Sequence, residues 1–70
     1  MTGYRLSKVL SDIGPPQNRA AFEDARLLRE RYRLTQPEID AFLGADLAAM
    51  YELGANPYLI RFAFRDKYDF

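Results

Sequence analysis

The sequence predicts an all-α domain, a compact array of about five short helices, and three observations predict it. Apolar residues recur at helical spacing with almost no alternation of period two. Helix-capping residues punctuate the chain at short intervals. The joints between the periodic stretches are only a few residues long, which suits neighbouring helices packed closely together.

Leu6, Val9, Leu10 and Ile13 fall at i, i+3, i+4 and i+7, the apolar stripe of a first amphipathic helix. Gly14-Pro15-Pro16 ends it, because proline disfavours helical geometry in the residue before it. A second helical stretch is expected from an N-cap at Asn18 toward Arg33. Its apolar positions are Phe22, Ala25, Leu28 and Tyr32, and Asp24 is placed to cap a new helix within it. Thr35-Gln36-Pro37-Glu38 is the clearest local signal: a threonine N-cap, a glutamate three residues on, and proline in the first turn. That third helix is expected to bury Ile39, Phe42 and Leu43 and to stop at Gly44 in the left-handed C′ position. Asp46 restarts the chain with Leu47, Met50 and Leu53 inward and Gly54 as the stop. Asn56-Pro57, a cap followed by proline at the first helical position, opens the last helix through Tyr58, Leu59, Ile60 and Phe62.

At 70 residues, of which 49% are hydrophobic and 29% charged, the composition is that of one globular domain spanning 1–70. A core this small supplies only a few kcal/mol, so disulfides, metals or partners often support such domains. Cysteine is absent, as are histidine and tryptophan. Disulfides, thiolate nucleophiles, Ser-His-Asp chemistry and His-ligated metal are thereby excluded for these residues. A partner is the remaining support. The opening residues carry no apolar run of signal-peptide type, and the longest apolar run, Leu47 to Tyr51, is far short of a membrane span. The expectation is a cytoplasmic protein that binds no membrane.

Ten basic and ten acidic side chains cancel, so no global field draws the chain to nucleic acid. The distribution is uneven. Residues 1–33 carry a net +3, residues 34–56 a net −4 with no base at all, and residues 57–70 a net +1. The cluster Arg26, Arg29, Arg31 and Arg33 reads as a solvated helix face or docking edge rather than a nucleic-acid patch, since its members do not share one face and Glu30 dilutes them. Two short helices around 36–43 and 47–53 imitate a helix-turn-helix, but the second offers no basic or amide side chain for bases or phosphates. Glu38 with Asp40, and Asp46 with Glu52, lack the spacing of a catalytic carboxylate pair, and capping already accounts for Glu38 and Asp46. Tyr4, Tyr32 and Tyr51 are expected to be half-buried.

The C-terminal residues stand out. Half of the ten aromatics lie there: Tyr58, Phe62, Phe64, Tyr68 and Phe70, with Arg61 and Arg65 among them. Phe62 and Phe64 are two apart, so one helix cannot turn both into the same small core. Aromatic rings beside arginines are what interface cores are enriched in, and these seven residues are expected to form a contact surface, the alternative being that some of the rings fold back to cover a thin core.

Asn18-Arg19-Ala20-Ala21-Phe22, then Leu34-Thr35, Glu38, Asp46, Gly54 and Asn56-Pro57-Tyr58, taken in this order and spacing, resemble the small α-subunit family of LigAB-type extradiol dioxygenases, typified by protocatechuate 4,5-dioxygenase. The resemblance spans residues 6–64. The stretch from Phe22 to Leu34 is slightly shorter than in the protocatechuate enzyme, and the long extensions at both ends are absent. The resemblance implies the helical fold of that family, termed LigA-like, and an oxidoreductase role in aromatic catabolism. It implies a hetero-oligomer in which a large β-subunit holds Fe(II) through two histidines and a glutamate, while this chain binds no cofactor and is not catalytic by itself. The chain would cap the cleft of the large subunit, exclude water and shape the substrate pocket. Tyr58, Phe62, Phe64, Tyr68 and Phe70 would line the boundary, Arg61 and Arg65 would pair with carboxylates of the large subunit, and Tyr68 or Phe70 would stand nearest the substrate. The same helical family also resembles leader domains of backbone-methylated peptide precursors, which dock onto a methyltransferase. That alternative expects an apolar, modifiable segment after the helices, where this sequence has the charged stretch from Arg65 to Phe70.

Overall fold

The computed structural model describes residues 3–68, with the side chain of Tyr68 outside the described set. Five α-helices follow one another: α1 (Tyr4–Ile13), α2 (Ala25–Glu30), α3 (Gln36–Leu43), α4 (Leu47–Glu52) and α5 (Pro57–Ala63). A 3-10 helix over Pro16–Phe22 joins α1 to α2, and a second over Arg65–Tyr68 follows α5. No strand occurs among the described residues. None of the helices is long and apolar enough to cross a membrane.

Helix α1 is the spine. Leu6, Val9, Leu10 and Ile13 are all buried, as their spacing predicts, and the helix packs on α5 and on the first 3-10 helix. On the other side, α3 packs against both α2 and α4. Leu28, Leu34, Ile39, Phe42, Met50 and Ile60 complete the core, with Phe64 at its C-terminal end.

Local chemistry explains most boundaries. The Asp24 carboxylate accepts from the backbone N–H of Arg26 and Leu27 and opens α2. Thr35 and Glu38 form the reciprocal capping box: the Thr35 hydroxyl accepts from the Glu38 N–H, and the Glu38 carboxylate accepts from the Thr35 N–H at 2.8 Å. Asp46 accepts from Ala49 N–H and Asn56 from Tyr58 N–H, opening α4 and α5.

Three helices end alike. In each, a backbone N–H just past the helix reaches back to a carbonyl of the last turn: Asp46 to Ala41 and Ala55 to Met50, five residues back, and Leu34 to Leu28, one residue wider. This Schellman closure places the residue before the donor in the left-handed region, namely Arg33 (φ 59), Ala45 (φ 53) and Gly54 (φ 98). The expected C′ role of Gly44 is therefore corrected. Gly44 is right-handed at φ −83, and Ala45 takes the left-handed turn because the closing bond comes from Asp46.

Other boundaries also move. Asn18 opens no helix: its side-chain amide donates to the Ile13 carbonyl at 3.2 Å and so helps finish α1, while Pro15-Pro16 start the 3-10 helix two residues earlier. The stretch expected to run on to Arg33 stops as a helix at Glu30, because the Leu34–Leu28 closure turns the chain there. Leu43 is exposed instead of buried, since it follows Phe42 and is rotated off the face that Ile39 and Phe42 share.

Gly3 shows how tightly the ends cross. It sits at φ +86, and a Cβ built there would lie 2.2 Å from the carbonyl carbon and oxygen of Gly54. The Ser7 hydroxyl then accepts from the Asn56 N–H at 2.9 Å, tying α1 to the turn before α5. Two substitutions read out these backbone demands with opposite signs. Arg33→Gly is expected to raise stability in urea unfolding by roughly 0.5–1 kcal/mol, since it relieves a left-handed non-glycine residue with an exposed side chain. Gly3→Ala should lower it, and a neutral Gly3→Ala would contradict the close crossing.

Candidate functional site

The surface presented by α5 depends on how its C-terminal end is held. Arg19 lies on the first 3-10 helix and is only 9% exposed. One terminal nitrogen, Nη1, donates to the Ala63 carbonyl at 2.9 Å and to Asp66 Oδ1 at 2.7 Å, and Nη2 donates to Asp66 Oδ2 at 2.9 Å. Such a bidentate fork fixes both distance and orientation. The guanidinium also lies 4.5 Å from the centroid of the Phe64 ring, a cation–π contact. Its Nε is buried without a hydrogen bond, 3.7 Å from Glu23 Oε2 across an ion pair. The fork holds the Asp66 carboxyl well below its ordinary value, at about 2, and Asp66 raises the pKa of Arg19 in turn.

This clamp decides which rings face outward. Phe64 is 0% exposed and meets Phe42 edge-to-face, with centroids 5.6 Å apart. The expectation that Phe64 lines a partner boundary is therefore corrected: Arg19 covers one side of the ring, and Phe42 meets it within the core. Phe62, two residues earlier, points the other way and is 46% exposed, while Tyr58 is 82% exposed. Arg61 and Arg65 are exposed as well. Tyr58, Arg61 and Phe62 follow i, i+3 and i+4 and share one side of α5, while Arg65 lies past its end on the second 3-10 helix. Of the other expected site residues, the ring of Tyr68 and the whole of Phe70 lie outside the described residues.

Two clefts flank the start of α5. One, of ≈ 690 Å³, lies between the beginning of α1 and the α4–α5 turn, with Tyr4, Ser7, Tyr51, Asn56 and Pro57 in its walls. The other, of ≈ 280 Å³, is lined by Leu47, Ala48, Tyr51, Pro57 and Ile60. Tyr51 and Pro57 belong to both, so the clefts adjoin. Tyr51, expected to be half-buried, is 62% exposed, and Tyr4 is exposed too. The signal was present in phase: Tyr51 follows Met50 and Tyr4 precedes Leu6 by two, so each lies off the buried stripe of its helix. Tyr32 is half-buried as expected, tilted against Phe22.

The arrangement is suited to contact rather than to proton transfer. Glu38 and Asp46 are occupied as caps, and Asp40 accepts from Gln36 at 2.8 Å. No group of three or more potential ligands that could hold a metal occurs among the described residues. Exposed aromatic rings with arginines at their edge have the make-up of an interface core. In comparisons with known proteins, the chain matches no family model, no curated protein and no solved structure.

Acid exposes the clamp directly. Folding lowers the Asp66 pKa from 3.8 to about 2. The stability it confers is present in full above about pH 4 and is lost as the pH falls toward 2. Unfolding curves across that window should show the loss, and Asp66→Asn should flatten it. Arg19→Ala should cost on the order of 2 kcal/mol at neutral pH, whereas Arg26→Ala, which breaks an exposed pair with Glu30, should cost less than about 0.5 kcal/mol.

Proposed function

We propose that this chain is the non-catalytic small subunit of an extradiol aromatic-ring-opening dioxygenase, working in the cytoplasm and capping the active-site cleft of an Fe(II)-bearing large subunit. The single observation that carries this reading is the exposed face of α5 bearing Tyr58, Arg61 and Phe62, with Arg65 exposed just beyond it, whose ring surface no other described residue buries. The sequence resemblance to the small-subunit family supplies the kind of partner.

The residues of this chain do not fit an iron site themselves. Histidine and cysteine are absent from the sequence, and of the carboxylates near α3 and α4, Glu38 and Asp46 are used as caps and Asp40 accepts from Gln36. Iron therefore belongs to the large subunit in this reading, and the contribution of the small chain is positional. Tyr58 and Phe62 pack on the rim of the cleft and keep water from it, and Arg61 and Arg65 pair with carboxylates at the edge. Phe64 acts from behind, holding the register of the helix.

The test is co-expression with a neighbouring large-subunit gene. The two chains are expected to co-elute, and ring opening of a catechol should depend on the small chain. The Tyr58→Ala/Phe62→Ala double variant, which removes exposed rings, should fold normally and weaken association on the order of tenfold or more. Separate elution with undiminished ring opening by the large subunit alone would overturn the proposal.

A further inference from the structure

A second surface is left unused by the α5 stripe. A groove of ≈ 440 Å³ runs between α1 and the turn that follows α2. Arg5 and Lys8 enter it from α1, and Arg31 and Arg33 from the turn. These cations are far apart in sequence, and the packing of the turn on α1 gathers them: Arg5 Nη1 donates to the Arg33 carbonyl at 3.4 Å, and the Tyr32 hydroxyl donates to Asp12 Oδ2 at 2.7 Å.

Asp12 is the one acid in the lining, and it is already engaged by Tyr32 and by Lys8 at 3.2 Å. Arg31 and Arg33 make no ion pair or side-chain hydrogen bond with another described residue. Their neighbours on α2 differ: Arg26 pairs with Glu30 at 3.2 Å, and Arg29 donates to Gln36. Arg31 and Arg33, which face the groove, thus keep their guanidinium donors open toward it. Arg33 also occupies a left-handed position that glycine fills with less strain.

We propose that this groove docks an acidic, carboxylate-bearing segment of a protein partner. Three of the four cations are arginines, whose planar fork matches a carboxylate in bidentate fashion. Tyr4 and Tyr32 give the groove apolar walls, which suits a peptide with carbon beside its charges. A nucleic acid suits it less. The chain is neutral overall, and Asp40, Asp46 and Glu52 accompany no base between residues 34 and 56, so the positive field does not extend along a phosphate backbone. Tyr4 also lines the cleft that reaches Pro57. The inference stands on the groove alone and needs no dioxygenase partner.

The test is a titration of the isotope-labelled full chain with an N-acetylated hexaglutamate peptide, followed by NMR. Amides of residues 4–8 and 31–34 are expected to shift and to saturate. Arg31→Ala/Arg33→Gly should weaken binding about tenfold, although Arg33→Gly by itself favours folding. Arg26→Ala/Arg29→Ala removes the same charge outside the groove and should change binding by less than about twofold. Equal weakening by both double variants, or the absence of saturable shifts, would overturn the proposal. So would tighter binding of an oligothymidylate of equal charge to the same amides.

Discussion

The pairing of Arg19 with Asp66 is the contact on which the C-terminal architecture rests. It joins a side chain early in the sequence to one near its end, and it does so through two donors to a carboxylate, a third contact to the Ala63 carbonyl and an aromatic face. A long-range link of this kind fixes more than distance. With the planar guanidinium seated on Phe64, that ring is committed to the core, and the rotation of α5 is committed with it. Phe62 and Tyr58 then have nowhere to go but outward. The composition of the exposed face thus follows from a buried charge that never reaches that face.

Much of the fold was legible before any coordinates. The stripe of α1, the capping box at Thr35 and the paired signal Asn56-Pro57 each rest on chemistry confined to one turn of chain, and each forms as read. What escaped was set by longer contacts. Gly44 looked like the natural left-handed stop, yet the closing bond from Asp46 to Ala41 moved that turn to Ala45. Asn18 looked like a cap for the helix ahead of it and instead finishes the helix behind. Phe64 is not distinguished from its neighbours by sequence, because aromatic composition reports an abundance of rings and not their direction. Their spacing of two does turn Phe62 and Phe64 apart. Choosing which of them turns inward required knowing that Arg19 would cover one.

The basic groove shows the same limit from the other side. Along the sequence, Arg31 and Arg33 read as part of a diluted charge run, and Arg5 and Lys8 as the outer face of α1. Only the packing of the turn after α2 on α1 places all four around one opening. Pairing then separates the arginines of this stretch, since Arg26 and Arg29 each bond a neighbouring side chain whereas Arg31 and Arg33 bond none among the described residues.

The claim at the centre of this account is that the outward rings of α5 are covered by a partner in the working protein. Hydroxyl-radical footprinting of the isolated chain and of the chain in its native assembly, with mass spectrometry of the modified residues, tests it most directly. Tyr58 and Phe62 should react readily in the isolated chain and be protected several-fold in the assembly, with Phe64 unreactive in both as an internal reference. Equal labelling of Tyr58 and Phe62 in the two states would contradict the account.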